Sequence, residues 1–127
     1  MSERHVFEYA LLRVVPRVER GERFNAGVLL YCRAHGYVAA RTHLDTARLT
    51  ALDPHADEAG VRAALEAVEH VCRGGSAAGL AGRGDAGRRF RWLVAPRSTV
   101  VQPGPVHTGL TADPAAELDR LLDLLVR

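Results

Sequence analysis

The chain contains no lysine; all 17 of its basic residues are arginines. With alanine and glycine also abundant, this is the ordinary product of a GC-rich genome, so arginine abundance alone argues little for phosphate binding. Cysteine is scarce too. Cys32 and Cys72 stand 40 positions apart, with no Cys-x-x-Cys and no His/Cys cluster at zinc spacing, which points away from metal and redox chemistry. Both read as small buried hydrophobes. Aromatic residues make up only 6%, and the aromatic motifs of ribonucleoprotein domains are missing, so nucleic acid is a disfavoured partner. No apolar run approaches the ~20 residues of a membrane span, and the opening Met-Ser-Glu-Arg-His lacks a signal peptide's apolar core. The expectation is a cytoplasmic protein with no cofactor, no metal and no membrane contact.

What is present suits a globular fold. The 127 residues are 47% hydrophobic and 25% charged, enough for one domain over 1–127 that buries about two-thirds of its unfolded surface. The net charge is only +2, but it is unevenly spread: residues 73–97 hold Arg73, Arg83, Arg88, Arg89, Arg91 and Arg97 against one acid, Asp85. Such a block either draws an anionic partner or is a solvated face.

Residues 6–15 are β-branched and aromatic and stop at Pro16, which reads as a strand. After a charged loop to Arg23, residues 24–32 alternate as a second strand, with Phe24, Ala26, Val28, Leu30 and Cys32 on one face. Arg33-Ala-His-Gly36 is a tight turn into a third strand, residues 37–44. Asp45 or Thr46 caps a short helix, and Asp53-Pro54 opens a longer one whose Val61, Ala64, Leu65, Val68, Val71 and Cys72 form an apolar stripe. Residues 74–87 hold six glycines and read as a flexible excursion. Phe90, Trp92 and Val94 alternate with Arg89, Arg91 and Leu93 as a fourth strand, and residues 98–102 form a short fifth. Asp113-Pro114 caps a last helix with Leu118, Leu121, Leu122 and Leu125 on one face. Short turns between early strands leave no room for crossover helices. The predicted fold is therefore α+β: a two-layer sandwich with a mainly antiparallel sheet of about five strands and amphipathic helices on one face.

Two constellations gather polar groups. The first runs from Arg13 through Glu19, Arg20 and Glu22 to Asn25 and Gly27. An arginine inside an apolar strand needs a carboxylate, which Glu19 or Glu22 can provide; the same residues also serve as a purely structural ion pair. The second runs from Pro96-Arg97-Ser98 through Gln102 to His107-Thr108-Gly109, stiffened by Pro103 and Pro105. Ser98 and His107 invite a nucleophile–base reading, but no nucleophile elbow and no third member accompany them. The two loops are expected to lie side by side, because each holds polar side chains that it cannot satisfy locally.

At these same places the chain resembles a family catalogued as "domain of unknown function 3037". The match is Tyr9-x-x-x-Arg13-x-x-Pro16-x-x-x-Arg20-Gly21-Glu22-x-x-Asn25-x-Gly27-Val28, then Pro96-Arg97-Ser98 and Pro105-x-His107-Thr108-Gly109, with Leu44-Asp45 to Leu52 between them. Ala26 stands where that family is expected to carry a valine. The resemblance implies a bacterial, cytosolic protein, associated with genes for kinases similar to the HipA toxin kinase, and hence an accessory or partner protein. The first reading is thus an interaction module, possible partner of a HipA-like kinase. The alternative is an enzyme or ligand-binding protein for an anionic phosphate or nucleotide, in which Arg13, Arg20 and Arg97 clamp charge and Glu22 or His107 moves protons. Leu124 and Val126 extend the apolar stripe of the last helix, which favours a homodimer or a foreign partner there.

Overall fold

The computed structural model describes residues 3–127, and the side chains of all of these but 76–78. Met1 and Ser2 of the opening stretch therefore lie outside the described residues. The chain begins as an antiparallel meander of β1 (His5–Val14), β2 (Phe24–Cys32) and β3 (Tyr37–Thr42). Two turns set its geometry with positive-φ glycines: Gly21 at φ 70, and Gly36 at φ 58 closing a turn of 3-10 helix over Arg33–His35. A side chain at either would cost strain.

Helix α1 (Thr46–Leu52) starts at Asp45, whose carboxylate accepts the Arg48 amide. Helix α2 (Glu58–Arg73) is capped by Asp57, which accepts from the Gly60 amide. The start expected at Asp53-Pro54 moves accordingly: Asp53 instead accepts the His55 amide in a separate turn. Val61, Leu65, Val71 and Cys72 of α2 are buried, as the stripe predicts.

The fourth strand expected at residues 90–94 is a helix, α3 (Ala86–Leu93), capped by Asp85 through the Arg88 amide. Its buried residues are Ala86, Phe90 and Leu93, spaced i, i+4, i+7, while Trp92 is 48% exposed. Helical spacing wins because it buries Leu93, which the alternating reading sends to the wrong side. Two short strands follow, β4 (Val101–Pro103) and β5 (His107–Thr111), and then α4 (Pro114–Leu125), N-capped by Asp113.

The sheet has five strands in the order β3-β2-β1-β4, with β5 also on β1. The two short strands share one side of β1: β4 pairs with Leu12–Val14 and β5 with His5–Tyr9. Every pairing is antiparallel, so the α+β class and the five-stranded sheet are as predicted. The helices do not all share one face. Leu12, Val14, Leu29, Leu49, Leu65, Phe90 and Leu93 form one core, beneath α1, α2 and α3. Phe7, Val28, Leu30 and Cys32 form a second with Leu118, Leu121, Leu122 and Val126, beneath α4.

A β-bulge between Leu12 and Arg13 divides β2 in two. Ala26 is the extra residue there, since Leu12 faces Gly27 and Arg13 faces Asn25. The single alternating face expected from Phe24 to Cys32 is thereby broken. Phe24 and Ala26 join the first core, whereas Val28, Leu30 and Cys32 belong to the second. One added residue turns Asn25 over to the side of α4.

Candidate functional site

Helix α4 packs over β2 and β3 and its core takes in Phe7 of β1, so that sheet face is left partly open along β1 from Tyr9 onward and beside β4 and β5. Along β1 the strip runs Phe7, Tyr9, Leu11, Arg13, successive residues of one face. Phe7 is buried, and Tyr9, Leu11 and Arg13 are half-buried. Cross-strand neighbours complete it. His107 faces Tyr9, and Asn25 and Gln102 flank Arg13 on either side. The rings of Tyr9 and His107 lie 5.3 Å apart, and those of Phe7 and Tyr9 5.9 Å.

Arg13 is the centre of this strip. Its guanidinium packs on Gly104, where an added Cβ would come within 3.0 Å of the guanidinium carbon. The Gly104 amide is fixed by the Leu11 carbonyl at 2.8 Å. The partner expected from the sequence is not there. Glu19 pairs with Arg17 at 2.9 Å and Glu22 with Arg20 at 2.5 Å, all of them exposed on the β1–β2 loop. Backbone hydrogen bonding and then Arg17 hold the Glu19 carboxyl below its ordinary range; Arg20 does the same for Glu22. Both acids are locally satisfied two residues away, so neither reaches back to β1. Among the described residues Arg13 makes no ion pair and no side-chain hydrogen bond.

Asn25 has an architectural duty. Its Nδ2 donates to the Leu125 carbonyl at 3.2 Å, occupying one of the acceptors that the end of α4 leaves free. Gln102 donates to the Thr99 carbonyl at 2.9 Å. The glycines of the recurring pattern serve packing: a Cβ at Gly109 would sit 2.7 Å from the Phe7 ring, and one at Gly27 would meet the Arg41 carbonyl at 2.9 Å.

Four of the sequence candidates thus share one face: Arg13, Asn25, Gln102 and His107. The two loops touch at the backbone, through the Val15 amide and the Val100 carbonyl at 2.7 Å, but not for the reason expected: Glu19, Glu22, Arg97 and Gln102 each find a partner within their own segment. The others lie elsewhere. Arg97 donates to the Trp92 carbonyl at 2.6 Å and lies 4.6 Å from the Trp92 ring centre, closing the last turn of α3. Ser98 is exposed beside it, and no hydrogen bond joins it to His107 among the described residues. Thr108 is opposite Glu8 in the ladder and points to the other face of the sheet. Much of the arginine block is structural in the same way: Arg89 donates to the Val71 and Cys72 carbonyls that end α2, and Arg91 binds Glu8. The sequence reading missed Tyr9 and Gly104 as parts of the site. Tyr9 carried a signal, since it opens the family pattern.

Comparison with known proteins adds one finding. The model of the family described as "Protein of unknown function (DUF3037)" matches residues 9–126, and the chain belongs to that family. No curated protein matches, and no solved structure does. No helix among the described residues is long and apolar enough to cross a membrane.

Proposed function

We propose, taking membership of that family as the premise, that this protein is an accessory binding module whose open sheet face beside α4 receives an acidic group of a partner protein. The observation that carries this reading is Arg13, half-buried on a strand with no carboxylate partner among the described residues. A guanidinium in that setting is a forked donor held ready for a carboxylate or phosphate. Leu11 and Tyr9 offer apolar contact on one side, and the exposed His107 extends the polar rim. Anchoring aromatics with an arginine are what binding surfaces concentrate. A HipA-like kinase is the partner that the family resemblance favours, and a second copy of the chain is the alternative. A catalytic role finds less support, because Ser98 and His107 are not hydrogen-bonded and Glu22 is taken by Arg20.

The test is co-expression with such a kinase, followed by calorimetric titration of the purified pair. Arg13→Gln should weaken the complex by about tenfold or more, the usual value of a charge-assisted contact. The variant's own stability should stay within about 0.5 kcal/mol of the parent, since no internal ion pair is broken. Equal affinity for the parent and Arg13→Gln would remove Arg13 from the interface.

A further inference from the structure

On the opposite face of the sheet, between the N-terminal half of β1, β5 and α3, lies a groove of about 540 Å³. That volume falls in the range of small-molecule sites. Arg33, Arg88 and Arg91 line it, as do the carboxylates of Glu8 and Asp85. The charges are unequally engaged. Arg91 Nη2 donates to both oxygens of Glu8, at 2.9 and 2.8 Å, so these two neutralise each other. Asp85 accepts the Arg88 backbone amide at 2.8 Å as the helix cap. Neither guanidinium of Arg33 or Arg88 has an ion-pair or hydrogen-bond partner among the described residues.

Two hydroxyls share the groove, those of Tyr31 and Thr108, and neither makes a hydrogen bond within the described residues. Tyr31 is fixed in place by stacking on the buried Phe90, 5.3 Å between ring centres. Its hydroxyl sits where a Cβ on Gly87 would be 2.8 Å away, so glycine there leaves the oxygen its room. Val6, 59% exposed, gives the same groove an apolar wall.

We infer that this groove binds the phosphoryl group of a small molecule, with Arg33 and Arg88 supplying charge and the Tyr31 and Thr108 hydroxyls supplying further donors. The two free guanidiniums outweigh the single charge of Asp85 and leave the groove net positive, and the three oxygens of a phosphoryl group accept from more donors than the two of a carboxylate. Val6 contacts the body that carries the phosphoryl group. The site is separate from Arg13, because Glu8 and Thr108 point to the face opposite Tyr9 and His107.

The experiment is titration of ¹⁵N-labelled protein with inorganic phosphate, phenyl phosphate and acetate, with chloride matching the ionic strength. Expected are saturable shifts at the amides of Arg33, Gly87, Arg88 and Thr108, and none at Arg13 or Gly104. Tighter binding of phenyl phosphate identifies a phosphate monoester as the ligand class, and equal binding identifies free phosphate. Arg33→Gln and Arg88→Gln should each weaken binding about tenfold, and Tyr31→Phe, which keeps the stack on Phe90, about threefold. Arg17→Gln, on the distant β1–β2 loop, should change nothing. The inference is overturned if acetate shifts the same amides equally, if no shift saturates, or if Arg33→Gln and Arg88→Gln bind as the parent does. Shifts centred on Arg13 and Gly104 instead would overturn it while supporting the other face as the anion site.

Discussion

On one face of the sheet three helices bury Leu12, Leu29 and Phe90; on the other, α4 alone covers Val28, Leu30, Cys32 and Phe7 and leaves the rest of that side of β1 only half-covered. The first face is covered by its own chain everywhere but the groove beside α3. Three of its arginines are spent on carbonyls and acids, Arg89 on the end of α2, Arg97 on the end of α3 and Arg91 on Glu8, while Arg33 and Arg88 at the groove are left over. The second is left with Tyr9, Leu11 and Arg13 half-buried; Arg41 there pairs with Asp119 of α4, but Arg13 has no ion pair among the described residues. An arginine's position in a charge-rich sequence therefore says little about its availability. What decides is whether a carbonyl or carboxylate of the same chain lies within reach.

The comparison breaks most visibly in the cores. Phe90→Ala should cost about 3–5 kcal/mol and Leu118→Ala about 2–5 kcal/mol, read from urea denaturation. Both side chains are fully buried, so a loss below about 1 kcal/mol for Leu118→Ala would mean that α4 is not an integral part of the domain.

Alkaline titration sharpens the difference further. Burial pushes the Cys72 thiol up to about 12 from 9.0, against the opposing pull of Arg89. Desolvation likewise raises Tyr37. A folded pKa above the unfolded one means stability that is complete below the unfolded value and lost as pH rises. Stability should thus fall from near pH 9 towards pH 12, with a slope of at most about 1.4 kcal/mol per pH unit from the single thiol. Cys72→Ala should flatten that decline. An unchanged slope in the variant would show that the thiol is not what titrates.

A smaller effect is expected at Asn25→Ala, about 1 kcal/mol, from the lost hydrogen bond to the Leu125 carbonyl. Hydrogen exchange at the last turn of α4 should quicken in that variant. Unchanged exchange there would leave Asn25 without its architectural duty.

The meander, the buried stripe of α2 and the leucines of α4 were all legible in the sequence, because each repeats one period over several turns or residues. Residues 90–94 were not, since five residues of strict alternation also fit a helix that begins at Asp85. Strand β5 escaped notice because His107, Thr108 and Leu110 are exposed, which leaves almost no apolar pattern. The site was half visible. Sequence separation suggested Glu19 and Glu22 as partners for Arg13, but Arg17 and Arg20 lie nearer to each and take them. The bulge that turns Asn25 towards α4 has no residue signature of its own. Of the two apolar residues at the chain's end, Val126 is buried at 3% exposure while Leu124 is 66% exposed, so only Leu124 remains for a contact with another chain.

The sharing of one side of β1 by two short strands has a consequence for aggregation. A long outer strand would present an unbroken row of amides and carbonyls, a template on which a second molecule can add its own strand. Here that outer side is cut between β4 and β5 by Pro103-Gly104-Pro105. Neither proline has an amide to offer, and β4 and β5 are only three and five residues long. The border next to the Arg13 strip is thus built to refuse strand-by-strand growth, while the face beside it stays open to side-chain contacts.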